Sequence, residues 1–600
     1  MSNTQKVPRR DEIPLEYTWD LTTIYPNDTA WEQDVARLEQ MLPEIAALKG
    51  TLSAGPQELL RVLETRDRVY MLLEQIYVYA MRRRDSDSTD ARAQALAERA
   101  GTLLARVSAA AAFVEPEILA VPDETIQAWL RAEPALQVYQ YALEELARQR
   151  AHVRSAEVEA LLAEASDIAR APNTVFDMLT EADLTFGTIE DEDGNPVQLS
   201  QGRYGRFMES KNRRVRRDAF KTLYQGFGSL RNTLGTLLAA EVRTHVFYAR
   251  ARNYESCLHA ALEPHDIPID VYTNLVATVD QNLPRLHRYM GIRKRLMGLD
   301  ELHMYDLYAP LVPEVDITVK YDEAVAMIQA GLAPLGPEYA AALKQTFGSR
   351  WIDVYENVGK ASGAYSDGAY TTAPFILLNY QDRLNDMFTL AHELGHSMHS
   401  FFTRRTQPYV YGNYTMFVAE VASTLNEALL TDYLLKTRDD PALRKHLIVQ
   451  QLEDIRTVLF RQTMFATFEL DIHRRAEAGE PLTADRMSEL YRALVERYHG
   501  PEVVIDDEIA LEWARIPHFY RSFYVYQYAT GISAALALSR QILEEGQPAV
   551  ERYLQFLSSG SSRSSIDLLR DAGVDMTTPQ PIQQALDTFD RLLDELEALS

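Results

Sequence analysis

The chain has 600 residues, of which 46% are hydrophobic and 25% are charged, and these fractions exclude a largely disordered or fibrous protein. A chain of this length exceeds what one hydrophobic core holds together, so two or more subdomains are expected. The net charge of −26 argues against a general nucleic-acid binder, which would carry a basic face.

Cysteine usage and the N-terminal residues indicate the compartment. The single cysteine, Cys257, excludes an intramolecular disulfide, as is typical of proteins from a reducing environment. The first residues lack the apolar stretch of a signal peptide, and no uninterrupted apolar run reaches about 18 residues. We therefore expect a cytoplasmic protein without a transmembrane helix.

The N-terminal third is predicted to be mainly helical. Residues 1–30 form a predicted irregular strap, and in 31–180 Leu, Ala, Glu and Arg recur at helical spacing. The segment 184–199 breaks this pattern because two short apolar runs flank DEDGN, which predicts a β-hairpin. A calcium loop is the alternative, but the EF-hand glycine position holds Pro196 and the twelfth position holds Gly202 instead of Glu.

A second long helical region is expected over 205–262, and helices continue to about residue 348. It contains the basic run KNRRVRR (211–217), which could suggest a nucleic-acid contact. Within a helix of an acidic protein, however, such a run favours a solvated or salt-bridged face.

The next segments have contrasting patterns. The stretch 359–380 is rich in glycine and aromatic residues, and it ends in PFILLNY, whose β-forming residues predict a strand. Residues 384–404 contain no proline and predict a helix that Asn385 or Asp386 could cap. Helices are expected to dominate from there to the end of the chain.

No low-complexity linker divides the chain, so the predicted domain boundary is a soft one near residue 200. We expect an N-terminal helical domain with a strap and a hairpin over 1–200. A catalytic domain is expected over 201–600.

The stretch LAHELGHSMHS places His392, Glu393 and His396 in the pattern H-E-x-x-H. In a helix the two histidines lie one turn apart on the same face, so their imidazoles can converge on one metal ion. Glu393 is the next residue around the helix and can reach a water molecule without binding the metal. Gly395 removes a side chain beside the ligands and would let another segment approach. The alternative is a pair of surface histidines on an amphipathic helix.

A catalytic zinc site needs a third protein ligand and an open position. The metzincin pattern is excluded because its glycine and third histidine positions hold His399 and Phe402, and we expect His399 to be a neighbour of the site. The segment 416–435 predicts an apolar helix, in which carboxylates are costly unless paired or coordinated. Glu420 is the predicted third ligand of one zinc ion per chain. Glu427 is predicted to accept a hydrogen bond from a ligand imidazole, with a helix-surface role as the alternative.

The segments HELGHSMHS and FVAEVASTLNE resemble the thimet-oligopeptidase class of zinc peptidases, most closely its oligoendopeptidase F branch. The resemblance extends to EIPLEYTWDLTTIYP, FGTIEDEDGNPVQLS, YDLYAPL, GAYSDGAYTTAPFILLNY and IPHFYRSFYVYQYATG, and so covers nearly the whole chain. It implies a mainly α, prolate, multi-helix zincin-type fold with a deep central channel and a small β-sheet near the metal site. It also implies cleavage of short, unstructured peptides, because folded proteins cannot enter such a channel.

The resemblance carries over to individual residues. It assigns zinc binding to His392, His396 and Glu420, and general-base catalysis to Glu393. It further implies that a histidine and tyrosines near the C-terminus hold the substrate and the oxyanion. The sequence offers His518, Tyr520, Tyr524, Tyr526 and Tyr528 for this role. His518 and Tyr526 match it best, and Tyr520 is a weaker candidate. Helix packing is the alternative for these aromatic residues.

The glycine-rich stretch before PFILLNY is the predicted substrate-binding segment. An extended substrate is expected to add to an edge strand near 373–379, as peptides do on exposed sheet edges. Gly363 and Gly368 would allow its close approach, and Ala364 and Tyr365 follow the first of them. A plain structural loop is the alternative for each glycine.

The predicted function is zinc-dependent hydrolysis of internal peptide bonds, with Glu393 as the general base. One alternative is a peptidyl-dipeptidase of the same superfamily, although the sequence offers no identifiable basic group to capture a free carboxylate. The other is a non-enzymatic helical peptide-binding protein, which the intact ligand and base residues disfavour. Short peptides are the expected partners, whereas nucleic acid and membranes are not, and the sequence does not indicate an oligomeric state.

Overall fold

The computed structural model describes residues 6–312 and 317–599, and within these ranges the predicted mainly helical fold is confirmed. The α-helices are α1 (Asp28–Ala46), α2 (Pro56–Ser86), α3 (Ala91–Ala111), α4 (Val114–Ala120), α5 (Asp123–Ala132), α6 (Gln140–Arg148), α7 (Ala156–Ala169), α8 (Ala171–Asp177), α9 (Gln201–Met208), α10 (Arg213–Ser229), α11 (Arg231–Ala251), α12 (Cys257–Leu262), α13 (Ile269–Gln281), α14 (Leu283–Leu296), α15 (Tyr321–Gly331), α16 (Gly336–Gly348), α17 (Leu384–Thr406), α18 (Ala419–Thr437), α19 (Pro441–Asp454), α20 (Arg461–Glu477), α21 (Ala484–His499), α22 (Tyr526–Glu545), α23 (Gln547–Leu557), α24 (Ser565–Asp571) and α25 (Gln580–Ala598). The strands are β1 (Thr188–Glu190), β2 (Pro196–Gln198), β3 (Leu302–His303), β4 (Ile352–Tyr355), β5 (Tyr365–Asp367), β6 (Phe375–Tyr380) and β7 (Val503–Val504). In the described ranges, no helix is both long and apolar enough to cross a membrane.

The chain divides into two compact units, each built from three separate segments. The first unit consists of Met1–Arg150, Asp316–Thr437 and Leu538–Val574. The second consists of Ala151–Val315, Arg438–Ala537 and Asp575–Ser600. The two units therefore alternate along the sequence. The domains expected at 1–200 and 201–600 remain a prediction.

In the first unit, helices α1, α2 and α3 pack around a shared apolar core. Apolar residues recur on α1 every three or four positions, which places them on one helix face. They are Trp31, Val35, Leu38, Leu42 and Ile45, all buried. The indole N–H of Trp31 donates a hydrogen bond of 3.0 Å to the carbonyl oxygen of Ile76 on α2. This bond satisfies the one polar group of an otherwise buried side chain.

The described part of the predicted N-terminal strap forms short 3₁₀ turns, while residues 1–5 lie outside the described residues. Arg10 of the strap donates a hydrogen bond of 2.7 Å to Asp353 of β4, and the buried Lys360 ammonium contacts the same carboxylate at 2.7 Å. Burial raises the pKa of Asp353, but its contacts with the two cations outweigh this and lower it overall. The strap is therefore fixed to the sheet of the first unit by a buried charge cluster.

The predicted β-hairpin is confirmed in the second unit. Strands β1 and β2 pair antiparallel, with Ile189 opposite Val197. At the turn, Oδ1 of Asp191 accepts hydrogen bonds from the backbone N–H groups of Asp193 and Asn195, at 3.0 and 2.8 Å. The acidic residue that begins this turn therefore accepts hydrogen bonds from the backbone of the residues that follow it, as in an Asx turn.

The basic run on α10 forms the salt-bridged face that the sequence favoured. The guanidinium of Arg216 is buried and lies 2.7 Å from Asp306, which also pairs with Arg213 at 2.8 Å. Arg214 donates to the carbonyl oxygens of Glu190 and Asp191 in the hairpin. These cations thus connect α10 to the rest of the second unit.

The three-stranded sheet of the first unit has the order β4-β6-β5. The expectation of an edge strand near 373–379 is wrong, because β6 lies between two neighbours, parallel to β4 and antiparallel to β5. Nearly all residues of β6 are buried, and such a continuous apolar run is typical of a central strand. Strand β5 has no second strand partner among the described residues, and this makes it the edge beside the predicted metal site.

Candidate metal centre

Helix α17 carries the H-E-x-x-H motif. Neither Asn385 nor Asp386 is its N-cap, because the helix begins at Leu384 and Arg383 holds the cap position. The Asp386 carboxylate instead reaches back and accepts hydrogen bonds from the backbone N–H groups of Arg383 and Gln381, at 3.0 and 2.8 Å. A carboxylate in the first turn also interacts favourably with the helix dipole.

Helices α17 and α18 pack closely at Gly395, which confirms that this glycine lets another segment approach. A Cβ atom at Gly395 would lie 2.6 Å from the carbonyl oxygen of Ala422 and would overlap Ser423. Nearby, the amide group of Asn426 donates a hydrogen bond of 3.0 Å to the carbonyl oxygen of Ala391. The second helix is thereby held against the first with its acidic residues beside the two histidines.

Gly395→Ala is expected to destabilise the first unit by about 1–3 kcal/mol, because α18 must move away to admit the new methyl group. Thermal unfolding should record the loss as a lower midpoint. Gly101→Ala on α3 is the matched control, since nothing lies within 4 Å of a Cβ atom there. That control should raise stability by about 0.5–1 kcal/mol. An equal rise in both variants would contradict the close packing.

Three side chains converge at the junction of α17 and α18. The Nε2 atoms of His392 and His396 are 3.2 Å apart, and Oε2 of Glu420 lies 3.3 Å from the first and 3.5 Å from the second. Zinc–ligand distances of about 2.0–2.1 Å at tetrahedral angles place neighbouring ligand atoms about 3.3 Å apart. These three residues also form a group whose ligand atoms lie within 4.8 Å of one another. Their geometry and donor types therefore fit a tetrahedral metal ion with one open position.

Glu427 lies behind the first histidine. Its Oε1 accepts a hydrogen bond from Nδ1 of His392, so that Nε2 is left to face the other two donors. Burial lowers the pKa of His392, but hydrogen bonds with Glu420 and Glu427 outweigh it and raise this pKa to about 10. The two carboxylates therefore make the centre attractive to a cation.

Glu393 is buried on α17, and its carboxylate is not one of the three converging donors. Burial raises its pKa to about 7, with a further increase from the charge of Glu420. The backbone of Ser366 on β5 provides a hydrogen bond, and the Ser366 hydroxyl lies 2.7 Å from that of Ser397. The edge strand is thus connected to the helix that carries the motif.

His399 lies one turn beyond the second histidine and does not join the three donors. Its ring stacks on Tyr414 at 3.7 Å and is 1% exposed. Burial lowers its pKa to about 3, so the imidazole is neutral at physiological pH. It packs as a neighbour of the site, as expected.

The predicted substrate-binding residues flank or belong to β5. Gly363 is exposed and has a φ of +81°, a conformation that favours glycine. Gly368 has no room for a side chain, because a Cβ atom there would overlap the carbonyl oxygen of Ala373. The hydroxyl of Tyr365 donates a hydrogen bond of 2.7 Å to Asp85. Both glycines thus have structural reasons for their identity, and substrate binding by them, by Ala364 and by Tyr365 remains a prediction.

The predicted C-terminal substrate residues belong to the second unit. The Nε2 atom of His518 lies 3.3 Å from the hydroxyl of Tyr528. Tyr526 is 2% exposed and packs against Tyr272 with ring centroids 5.2 Å apart. Their catalytic roles remain predictions, and the contact with His518 favours Tyr528 among the other tyrosines that the sequence offered. It stands in the aromatic run VYQY, where the sequence alone does not distinguish it from its neighbours.

Tyr520 is the third predicted residue of this loop. Its ring stacks on Phe176 at 4.3 Å, and it is buried. Burial, together with the nearby carboxylates of Glu241 and Asp177, raises its pKa, so the phenol is neutral at physiological pH. Packing explains its conformation, and a substrate contact remains a prediction.

Two residues of the second unit were not found from the sequence. Glu469 on α20 is 0% exposed, and its Oε1 accepts a hydrogen bond of 2.7 Å from the backbone N–H of Phe523. Phe523 has a φ of +51°, a left-handed conformation that is uncommon for a bulky residue. A signal was available, because an acidic residue within the apolar segment ATFELDI resembles the context that led to Glu420.

The pH dependence of stability should include a contribution from Glu469. Burial raises its pKa from 4.5 to about 8. Between these values the unfolded chain binds fewer protons than the folded chain, so the free energy of unfolding falls as pH rises, by at most about 1.4 kcal/mol per pH unit. Glu469→Gln should remove this component. Urea unfolding midpoints from about pH 5 to pH 8 should then vary less than in the wild type, whereas exposed Glu489→Gln should leave the variation unchanged.

Comparison with known proteins identifies related chains. The model of the family described as peptidase family M3 matches residues 206–588, and the one described as oligopeptidase F matches residues 117–186. Oligopeptidase PepF of Bacillus subtilis is 48% identical over 594 residues, which cover 99% of this chain and 89% of that protein. The plasmid-encoded oligoendopeptidase F of Lactococcus lactis subsp. cremoris is 40% identical, with 98% of each chain covered.

Solved structures show the same fold. A peptidase from Chlamydophila abortus superposes with a TM-score of 0.94 at 38% identity, covering 99% of this chain and 100% of that one. The oligoendopeptidase F of Enterococcus faecium superposes with a TM-score of 0.74 at 40% identity, covering 95% and 99% respectively. The similarity therefore extends over nearly the full length of all three chains.

Proposed function

Because the chain belongs to peptidase family M3, we propose that it is a zinc-dependent endopeptidase that hydrolyses internal bonds of short, unstructured peptides. Relatives named oligoendopeptidase F support the substrate class and the internal position of the cleaved bond. The observation that carries the proposal is the triangle of His392, His396 and Glu420 donor atoms, with edges of 3.2, 3.3 and 3.5 Å. The sequence-based expectation of a cytoplasmic setting is part of the proposal.

Zinc is the proposed metal, with one ion per chain. Two imidazole nitrogens and one carboxylate oxygen are a donor set that catalytic zinc sites use, and they leave one coordination position open. Glu427 would orient the imidazole of His392 through the hydrogen bond to Nδ1. When bound, Zn²⁺ supplies Lewis acidity, which polarises the scissile carbonyl and makes a water molecule easier to deprotonate.

Glu393 is the proposed general base and acid. Its carboxylate accepts a proton from the attacking water and then delivers that proton to the nitrogen of the leaving amine. Burial holds its pKa at about 7, and a group with a pKa near the working pH can perform both transfers. The hydrogen bond from the Ser366 backbone fixes the position of the carboxylate.

The substrate is proposed to bind in extended form along β5, an edge strand with no second strand partner among the described residues. Gly363, Ala364, Tyr365 and Gly368 are the proposed contacts in this segment. His518 is proposed to donate a hydrogen bond to the oxyanion, with Tyr526 as a second donor. Tyr520 and Tyr528 are further proposed contacts.

The proposal is tested by mapping the products from a peptide of about ten residues with both ends blocked. We expect cleavage at an internal bond, because an endopeptidase needs no free terminus. The same peptide with a free C-terminus is the control, and its products are expected at the same bond. If only the free peptide is cleaved, always two residues from its end, the enzyme is a peptidyl-dipeptidase. If neither peptide is cleaved by the zinc-loaded protein, the proposed peptidase activity is wrong.

A further inference from the structure

We propose that Glu469 is a positioning residue, which holds the loop from His518 to Tyr528 in one conformation through its hydrogen bond with the Phe523 backbone. The inference rests on the proposed function, because that function assigns substrate contacts to residues of this loop. Glu469 would act through the backbone that it holds. Glu469 lies on α20, whereas Phe523 lies just before α22, whose first turn contains Tyr526 and Tyr528, so the hydrogen bond joins two parts of the second unit.

The backbone at Phe523 is strained. Its φ of +51° lies in the left-handed region, where the side chain of a bulky residue crowds its own backbone. Such a conformation persists only when the surroundings enforce it, and strained residues of this kind concentrate at functional sites. Phe523 stands midway between the proposed contacts His518 and Tyr528. A relaxation of φ there would change the direction of the chain between them.

The hydrogen bond with Glu469 is one of the contacts that enforce this conformation. The Phe523 N–H is buried, and the 2.7 Å bond to Oε1 is its only hydrogen bond in the described part of the chain. Without that acceptor the N–H would be buried and unsatisfied, which is costly in protein interiors. The Phe523 ring also packs against His473 and Tyr272, with centroids 4.6 and 5.6 Å away. Packing and hydrogen bonding therefore act on the same residue.

Glu469 stands on a helix that is itself fixed. Nδ1 of His473 donates a hydrogen bond of 2.8 Å to the carbonyl oxygen of Glu469, because a carbonyl can only accept. Burial lowers the pKa of His473 to about 3, so the ring is neutral and its Nε2 accepts from Nδ1 of His245, 3.0 Å away on α11. The remaining nitrogen of His245 lies 3.2 Å from Glu241, one turn earlier on the same helix. The hydrogen bond between His473 and His245 therefore ties α20 to α11 one turn away from Glu469.

The oxygen that accepts from Phe523 is sufficient for this role, so no negative charge is needed. Burial favours the uncharged carboxylic acid of Glu469 and raises its pKa to about 8. Glutamine has nearly the same shape and keeps the carbonyl oxygen, whereas leucine fills a similar volume and offers no acceptor. The two substitutions therefore separate the hydrogen bond from the packing.

The test compares Glu469→Leu, Glu469→Gln and Ile472→Ala in the full-length, zinc-loaded protein. Glu469→Leu should lower kcat/KM for a blocked peptide by about 10–100-fold, mainly through kcat, because small displacements of positioning groups have effects of this order. Glu469→Gln should remain within about threefold of the wild type. Ile472→Ala removes a buried side chain from the same helix and controls for lost stability. An equal loss in this control, or in Glu469→Gln, would overturn the proposal, as would full activity in Glu469→Leu.

Hydrogen exchange supplies a readout that does not depend on peptidase activity. The peptide that contains Phe523 should exchange faster in Glu469→Leu than in the wild type, and at the wild-type rate in Glu469→Gln. Unchanged exchange in Glu469→Leu would show that the loop is held without this carboxyl and would overturn the proposal. If exchange changes as expected but no variant and no wild-type sample cleaves peptides, then the proposed function has failed while the hold on the loop stands.

Discussion

Glu393→Gln should lose peptidase activity by about 10³-fold or more while keeping its metal, because the amide cannot accept the proton of the attacking water. The three donor atoms of the metal centre belong to other residues, so the zinc content should remain one per chain. Glutamine preserves the size of a side chain that is buried on α17. Both quantities can be measured on one preparation, by kcat/KM with a fluorescence-quenched peptide and by elemental analysis.

The matched control is Glu338→Gln, which makes the same chemical change at an exposed position of α16 in the same unit. This variant should retain wild-type activity and metal. If Glu393→Gln keeps more than about a tenth of wild-type kcat/KM, Glu393 is not the general base, since general-base catalysis contributes about 10²–10⁴-fold. If activity falls together with the metal content, the role of Glu393 would be structural.

Glu420→Ala should weaken zinc binding by more than about 100-fold, because removal of a direct ligand costs more than removal of an outer hydrogen-bond partner, which costs about 10–100-fold. Two histidines on one helix would remain, too few for a catalytic site. Activity should be lost at any zinc concentration that leaves the wild type active. The affinity can be measured by competition with a chelator of known strength.

Glu427→Gln is expected to have a zinc affinity between those of the wild type and Glu420→Ala. Its amide can still bond to His392, although without charge, so zinc affinity should fall by about 10–100-fold. The order wild type, Glu427→Gln, Glu420→Ala should appear in both zinc affinity and the zinc dependence of the thermal midpoint. A Glu420→Ala protein that keeps one zinc per chain after dialysis against the chelator would remove Glu420 from the ligand set.

Local patterns in the sequence explain how much of the metal centre could be predicted. The spacing of His392 and His396 depends only on the helical repeat, and a buried carboxylate in an apolar helix led to Glu420. The structure brings these donors together without any change to the residues proposed. The helical class and the hairpin were likewise predictable, because periodicity and turn residues act over short stretches of chain.

Features that depend on contacts distant in sequence could not be predicted. PFILLNY was correctly taken as a strand, but its place in the centre of the sheet depends on β4 and β5, which pair with it from both sides. The left-handed Phe523 is held by Glu469, 54 residues earlier, and nothing in the intervening sequence indicates that bond. The two alternating units are a further case, since long-range packing rather than composition defines them.

The alternation of the two units along the chain has a consequence for biosynthesis. Helices α17 and α18, which carry the proposed metal ligands, are complete once Thr437 has been translated. The first unit also requires Leu538–Val574, and Phe556 from that late segment packs on His399 at 5.3 Å. The second unit ends later still, with Asp575–Ser600. The first unit can therefore not close until the ribosome has passed Leu538–Val574, and the second not until it has added Asp575–Ser600. A chain that stopped before Leu538 would lack part of both units, so each unit depends on residues translated well after α17 and α18.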